Sequence, residues 1–246
     1  MELKESNTWS GRRGFSLIEL LVVMAMAGLV MASLFKIYTT QQDSYIVQEQ
    51  VAEMQQNART AKYLLLGELR MAGYDPTGLA NASFVTQIPD DPGTETTTDA
   101  THIAFTVDED GNGSINADDD DEQIAYRVDG ARLEKFSRVN AAWSWQPVVE
   151  NIDALDFVYL DGDGADITSD VENNPTDIYP TTGLSYIESV RSVEVSIVAR
   201  TGRVDKKFSG TPAYVNQQGT EIFPASSDNF RRRLLTMRIR CRNMGF

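Results

Sequence analysis

Between Phe15 and Phe35 the chain places 21 residues with a single charge, Glu19. A helix of that length crosses the ~30 Å hydrocarbon core of a bilayer. The pattern then changes. Val47, Val51, Met54, Ala58, Ala61, Leu65 and Ala72 recur at steps of three, four or seven, which is one face of an α-helix, with Gln41, Gln42, Asp43, Gln48, Glu49, Gln55, Gln56 and Arg59 on the remaining positions. Gly73 supplies a C-cap and Pro76 a stop. The two patterns predict one helix over residues 15–73, apolar all round and membrane-spanning at 15–35, amphipathic at 36–73.

Beyond it the period shortens and a head is predicted over 79–246. Strand-like runs fall at Phe84–Ile88, Ile103–Val107, Gln123–Val128, Ala131–Phe136, Leu155–Leu160, Val190–Ala199 and Leu234–Cys241. Asp129-Gly130 is expected as a two-residue hairpin turn. Pro89 to Thr101 and Gly162 to Leu184 are expected as long loops. The fold class is therefore α+β: a long N-terminal helix packed on an antiparallel sheet. Trp143 and Trp145, two apart, share one side of a strand, as core packing or as an exposed platform for carbohydrate or a partner. In the last strand Met237, Ile239 and Cys241 alternate with Arg238, Arg240 and Arg242, giving an apolar and a basic face. That basic face is expected to pair with acidic loops of its own head or of a neighbour.

Charge and composition narrow the functions. The chain of 246 residues has net charge −14; residues 1–14 carry +1 (Lys4, Arg12, Arg13 against Glu2, Glu5), leaving −15 for the rest. So acidic a head repels nucleic acid. One cysteine, Cys241, excludes an internal disulfide. The single histidine, His102, argues against histidine-based metal or triad chemistry. No nucleophile with its base, phosphate-binding glycine loop or zinc set is present, so the expected protein is not an enzyme and has no small-molecule substrate.

Lys4, Arg12 and Arg13 precede the apolar segment and favour a cytoplasmic N-terminus. An ordinary secretory signal would carry a small-residue cleavage site after that segment, and nothing of the kind follows Phe35. The run Arg12-Arg13-Gly14-Phe15-Ser16-Leu17-Ile18-Glu19-Leu20-Leu21-Val22-Val23 instead resembles the class III leader of type IV pilins and type II secretion pseudopilins. The resemblance implies a leader at 1–14, cut by prepilin peptidase between Gly14 and Phe15, with N-methylation of Phe15. It implies the pilin fold, a single-pass inner-membrane protein with a periplasmic head, and later a place in a filament among other pilins or pseudopilins. Glu68 to Pro76 and the closing run Arg231–Asn243 look like the corresponding segments of PilW-type minor pilins, and the GspJ-like pseudopilins have a related layout. The expected function is thus a minor pilin acting in pilus assembly, with a secretion pseudopilin or a membrane-tethered, calcium-dependent adhesion domain as alternatives.

A carboxylate inside a membrane span costs at least ~2.5 kcal/mol and marks a functional pairing. No Lys or Arg lies between Phe15 and Lys36 to serve Glu19. By resemblance its partner is the free amine of Phe15 on a neighbouring subunit; the plain alternative is a side chain that snorkels to the interface. Ala25, Gly28, Ala32 and Ser33 are small and would allow close helix approach, or Gly28 a soft point in the helix.

One stretch of the head carries metal-site spacing. In Asp108 to Asp119, read as a twelve-residue loop, oxygen side chains fall at positions 1, 3 and 5 (Asp108, Asp110, Asn112), glycine at 6 (Gly113), a carbonyl at 7 (Ser114), Asn116 at 9 and Asp119 at 12. Calcium suits such a loop because a hard cation takes six to eight oxygens. Position 12 departs from the usual Glu, so Asp118 or Asp120 is an alternative. Eight of the fifteen residues from Asp108 to Glu122 are acidic and none is basic, so the other outcome is a solvated acidic turn. Asp161-Gly162-Asp163-Gly164-Ala165-Asp166 is a shorter echo of the same spacing.

Overall fold

The computed structural model describes residues 14–86, 98–115, 122–139 and 142–245. The chain forms two compact units, residues up to Gln48 and residues from Glu49 onward. Helix α1 covers Leu17–Leu69. Its apolar N-terminal stretch is long enough to cross a membrane and none of it is buried within the chain. The helix is continuous through Gly28, whose position faces open space.

The second unit is built on the buried stripe of α1. Met54, Ala58, Ala61, Leu65 and Leu69, with Ala72 just beyond the helix, are buried in one core. Nine strands form the head's described sheets: β1 (Ile103–Thr106), β2 (Gln123–Asp129), β3 (Arg132–Val139), β4 (Ala142–Glu150), β5 (Ile152–Leu160), β6 (Ser192–Arg200), β7 (Tyr214–Val215), β8 (Glu221–Phe223) and β9 (Arg232–Arg240). They make an antiparallel sheet of order β1-β2-β3-β4, a second of order β5-β6-β9, and a β7-β8 hairpin. Ile103, Phe105, Ile124, Tyr126 and Leu133 of the first sheet share the helix's core with Leu155, Phe157, Tyr159, Val193, Val195 and Ile197 of the second. The α+β class expected from the periodicity is therefore the observed one.

Gly73, expected as the C-cap, lies in the turns that follow the helix end at Leu69 and does not cap the helix. Its φ is +75°, its N–H donates to the Thr106 carbonyl at 3.1 Å, and a Cβ there would meet Met244 Sδ at 2.6 Å and the Asn243 carbonyl at 3.3 Å. Only a residue without Cβ lets the chain end pack so close at that backbone angle.

The first sheet has a second, smaller core on its far face, where Ala104, Ala125 and Phe136 meet Val85, Trp143 and Trp145. Trp143 stacks on Phe136 at 5.1 Å and Trp145 packs against it at 5.3 Å, beneath the Arg127 guanidinium. The tryptophans thus serve packing. His102 precedes β1, with Nδ1 3.2 Å from the Asp99 carboxylate. Burial pushes that carboxyl up, but bonds from His102 and the Thr101 amide outweigh it and hold it at about 2.

Several local expectations shift. Asp129 pairs with Arg132 inside the ladder, so the hairpin loop is Gly130-Ala131, one residue later than expected. Both have positive φ, +54° and +63°, as a primed turn requires, and Ala131 is forced there by the register. β4 is an edge strand holding Pro147, opposite Glu134 at a bulge, a place where proline's missing N–H does no harm. Phe84 makes a single bridge to Phe105, while Gln87 to Ile88 of that expected run, and Pro89 to Thr97 of the expected loop, lie outside the described residues. The 162–184 segment contains a short helix, α2 (Thr168–Asn173), anchored by buried Val171.

Polar groups in the head are organised around arginine. The Arg232 side chain on β9 is almost wholly buried, binding Asp153 at 2.5 Å through Nε and Asp228 at 2.7 and 2.5 Å through its two terminal nitrogens. The Phe223 ring lies 4.5 Å from the guanidinium carbon. On the outer face of β5 and β6, Asn216 and Gln218 from the β7–β8 turn donate to Asp156 at 3.1 Å and Glu194 at 2.7 Å. Cys241 is buried and unpaired, its thiol pushed up to about 12 by burial. Removing one member of a buried pair strands the other's charge. Arg232→Ala should therefore destabilise the head by about 3 kcal/mol in denaturant unfolding of the full chain in micelles, the low end of such losses because Arg200 still meets Asp153 at 3.3 Å. A loss below about 1 kcal/mol would mean that the pair only breaks even against its desolvation.

Candidate functional site

Residues 14–16 precede the first turn of α1 and are exposed, Phe15 by 89%. The Gly14–Phe15 bond therefore lies in accessible, non-helical chain, which is what a peptidase needs to reach it. Residues 1–13 of the expected leader lie outside the described residues.

Glu19 has a local partner that is a backbone amide rather than a basic residue. Its Oε2 accepts the Ser16 N–H at 3.0 Å. Ser16-Leu17-Ile18-Glu19 is the S-x-x-E spacing of a capping box, in which the N3 carboxylate reaches back to the N-cap amide. The spacing was legible in the sequence. Glu19 is also the acidic residue of the first turn, where the helix dipole favours negative charge. One carboxylate thus closes the helix start and stands four residues from Phe15. The surrounding apolar side chains, among them Leu17, Ile18, Leu20, Leu21 and Leu29, are all more than half exposed.

The acidic loop is the second candidate. Asp108 follows β1 and is fully buried; its N–H donates to the Tyr74 carbonyl at 2.7 Å. Its two carboxylate oxygens accept the N–H groups of Asn112 and Gly113, each at 3.1 Å. Gly113 has φ +80°, and a Cβ there would press on Thr77 Oγ1 at 3.1 Å and Leu79 at 3.2 Å, so glycine is required at this turn. Asp110 accepts from Asn112 N and Nδ2 at 2.8 and 2.7 Å, and Asn112 Oδ1 accepts from Ser114 N and Oγ at 2.8 and 2.6 Å. Carboxylate oxygens of Asp108, Asp110 and Glu122 lie within 4.8 Å of one another. Glu122 is buried just before β2 and was not among the expected ligands, because a spacing template ends at the twelfth position. Asn116 and Asp119 lie outside the described residues. The donors brought together are oxygens only, the set that a hard divalent cation takes.

In the shorter echo, Asp161 spends its oxygens on the amides of Asp163 and Ala165 and on the Tyr179 hydroxyl, and Asp166 accepts from Thr168. These are turn and cap contacts.

An accessible Gly-Phe junction, an apolar helix behind it and an α+β head define a type IV pilin-like, prepilin peptidase-dependent protein. Residues 9–35 match the model of the prokaryotic N-terminal methylation motif. Residues 47–214, more than half of the chain, match that of prepilin peptidase-dependent protein B, and the chain belongs to that family. The match ends at Tyr214, before β8 and β9. Among solved structures the chain is similar to a type IV-like pilin from Thermus thermophilus, at 16% identity and TM-score 0.44, over 79% of this chain and 97% of that one. No curated protein matches it. The family is one of structural proteins rather than enzymes.

Proposed function

We propose that the protein is a minor pilin that enters a type IV pilus, helping to start or cap the filament. The observation carrying this is the apolar surface of α1 between Phe15 and Phe35, which finds no cover among the described residues while Glu19 is the only charge in it. The helix inserts in the inner membrane with the head in the periplasm; cleavage after Gly14 frees the Phe15 amine, which is methylated. Helices of neighbouring pilins then cover one another's apolar faces. Glu19, already fixed at the helix start by the Ser16 amide, offers its remaining oxygen to a neighbour's Phe15 amine, which sets the axial register. A pseudopilin role in type II secretion uses the same chemistry and is separated from it by which filament takes up the protein.

Mass spectrometry of the protein from a cell with prepilin peptidase should give a mature chain starting at N-methyl-Phe15, and Gly14→Val should leave the precursor uncut. Cleavage anywhere after Phe35 would sink the proposal. Glu19→Ala should insert and fold normally, since the lost cap costs about 1 kcal/mol. It should nevertheless be depleted at least tenfold from sheared pili, because an unpaired amine buried among helices costs several kcal/mol. Undiminished incorporation would remove the pairing role.

A second reading, calcium binding at the acidic loop, is favoured by the three converging carboxylates of Asp108, Asp110 and Glu122. Asn112 and the Ser114 carbonyl would add neutral oxygens, and Asn116 and Asp119 complete the expected set. Affinity in the extracellular range, roughly 10⁻⁴–10⁻³ M, is expected. Tenfold saturation would stabilise the folded chain by about 1.4 kcal/mol. The full chain in micelles should melt higher in millimolar calcium than in chelator, and Asp108→Asn with Asp110→Asn should erase the difference. No calcium heat in calorimetry and no shift for the wild type would leave a solvated acidic turn.

A further inference from the structure

The arginine face of β9 forms no ion pair among the described residues, although Glu194, whose carboxylate accepts from Gln218, stands opposite Arg238 in the ladder, and it borders an open sheet edge. Elsewhere in the head Arg127, Arg132, Lys135, Arg200, Arg231 and Arg232 each form an ion pair. Arg70, Arg191, Arg238, Arg240 and Arg242 form none among the described residues, yet they converge. Arg70, Arg238, Arg240 and Arg242 line one cavity of about 480 Å³. Arg191, Arg238 and Arg240 line a second of about 460 Å³. The carboxylate at the second, Asp161, is committed to its own turn and to Tyr179. Arg238 reaches only the Ser192 hydroxyl, at 3.1 Å. Arg191 reaches the carbonyls of Glu188 and Val190. In a chain of net charge −14, five converging guanidiniums with no ion pair among the described residues outnumber the nearby carboxylates of Asp161 and Glu194 and leave a surface suited to a further anionic group.

The backbone says what kind of molecule brings it. β9 pairs with β6 on one side and, among the described residues, with no strand on the other. The Cys241 N–H donates to the Arg191 carbonyl, and the Thr201 N–H to the Arg231 carbonyl. In the register that runs from Ser192↔Arg240 to Arg200↔Arg232, odd-numbered residues of β9 therefore bond β6 and even-numbered ones face outward. The Arg232 carbonyl confirms the parity, since the Tyr214 hydroxyl reaches it from outside at 2.9 Å. Leu234, Thr236, Arg238 and Arg240 are left with N–H and C=O groups directed at the open edge. A lipid headgroup or a phosphate answers the guanidiniums but not this alternating row of donors and acceptors. An extended polypeptide answers both.

We propose that the β9 edge docks an extended acidic segment of a partner polypeptide as an added strand, with carboxylates on the face shared by Arg238, Arg240 and Arg242. Strand addition supplies affinity through main-chain bonds, and the arginines supply selection. The same charges that keep neutral or basic edges from pairing here admit an acidic one.

The test uses the full chain in micelles and a fluorescent peptide of alternating threonine and glutamate, eight residues long. Expected is salt-sensitive binding, with amide exchange at Leu234, Thr236, Arg238 and Arg240 slowed at least tenfold. The threonine–lysine peptide, and the glutamate peptide N-methylated at alternate amides, should bind at least tenfold more weakly. R238Q/R240Q should weaken the acidic peptide by a similar factor while melting within a few degrees of the wild type; were that variant to unfold, the N-methylated comparison on the wild type decides alone. Equal binding of the N-methylated peptide would reduce the surface to a charge patch and overturn the proposal. So would capture of anionic phosphatidylglycerol vesicles, lost in R238Q/R240Q, with no peptide-dependent protection of the edge amides.

Discussion

Burial of one face of α1 is the constraint on which the head depends. Each leucine-sized side chain taken from water is worth about 1.5–3 kcal/mol, and Leu65 and Leu69 are fully buried, with Ala61, in the core shared with both sheets. The helix is held in angle by a polar clamp as well. The Glu68 carboxylate accepts the Tyr126 hydroxyl at 2.6 Å and the Lys135 ammonium at 2.9 Å, joining α1 to β2 and β3. Burial, reinforced by Glu68, pushes the Tyr126 phenol far above its ordinary range, so it remains a donor at any physiological pH. Gly73 then lets the chain turn directly onto β1. Strands on two separate sheets thus share one core with a single helix face.

The same helix has two chemically different halves, and the difference carries the biology. From Met54 onward its apolar residues recur with helical period and are covered by the head. From Phe15 to Phe35 they cover the whole circumference and stay exposed. A surface of that kind is stable only in lipid or against like helices. Membership of the prepilin peptidase-dependent family accords with both environments in succession.

Charge in the head is partitioned rather than spread. Arg231 and Arg232 sit among Asp153, Asp205 and Asp228 and stabilise the start of β9, while the far end of the same strand collects arginines that form no ion pair among the described residues. Acidic groups gather on the opposite kind of feature, the turn after β1, where Asp108 organises the loop through amides rather than through a basic side chain. A strand with one satisfied end and one unsatisfied end is a scaffold at the first and a contact surface at the second.

How much of this was legible in the sequence depends on the range of the interaction that decides it. The helix, its change of character near residue 36, the N-terminal methylation motif and most strands follow from periodicity and short motifs, because those are set by neighbours along the chain. The S-x-x-E cap at Ser16 and Glu19 was equally local. Tertiary structure alone decided the rest. The hairpin loop moved to Gly130-Ala131 because the β2–β3 register keeps Asp129 in the ladder. Glu122 joined Asp108 and Asp110 because β1 and β2 pair antiparallel and bring both ends of the loop together. The basic face expected on the last strand, Arg238, Arg240 and Arg242, forms no ion pair among the described residues, while Arg231 and Arg232 at the strand's start do, according to which loops fold against each end of β9. No local pattern encodes that, since the partners lie tens of residues away.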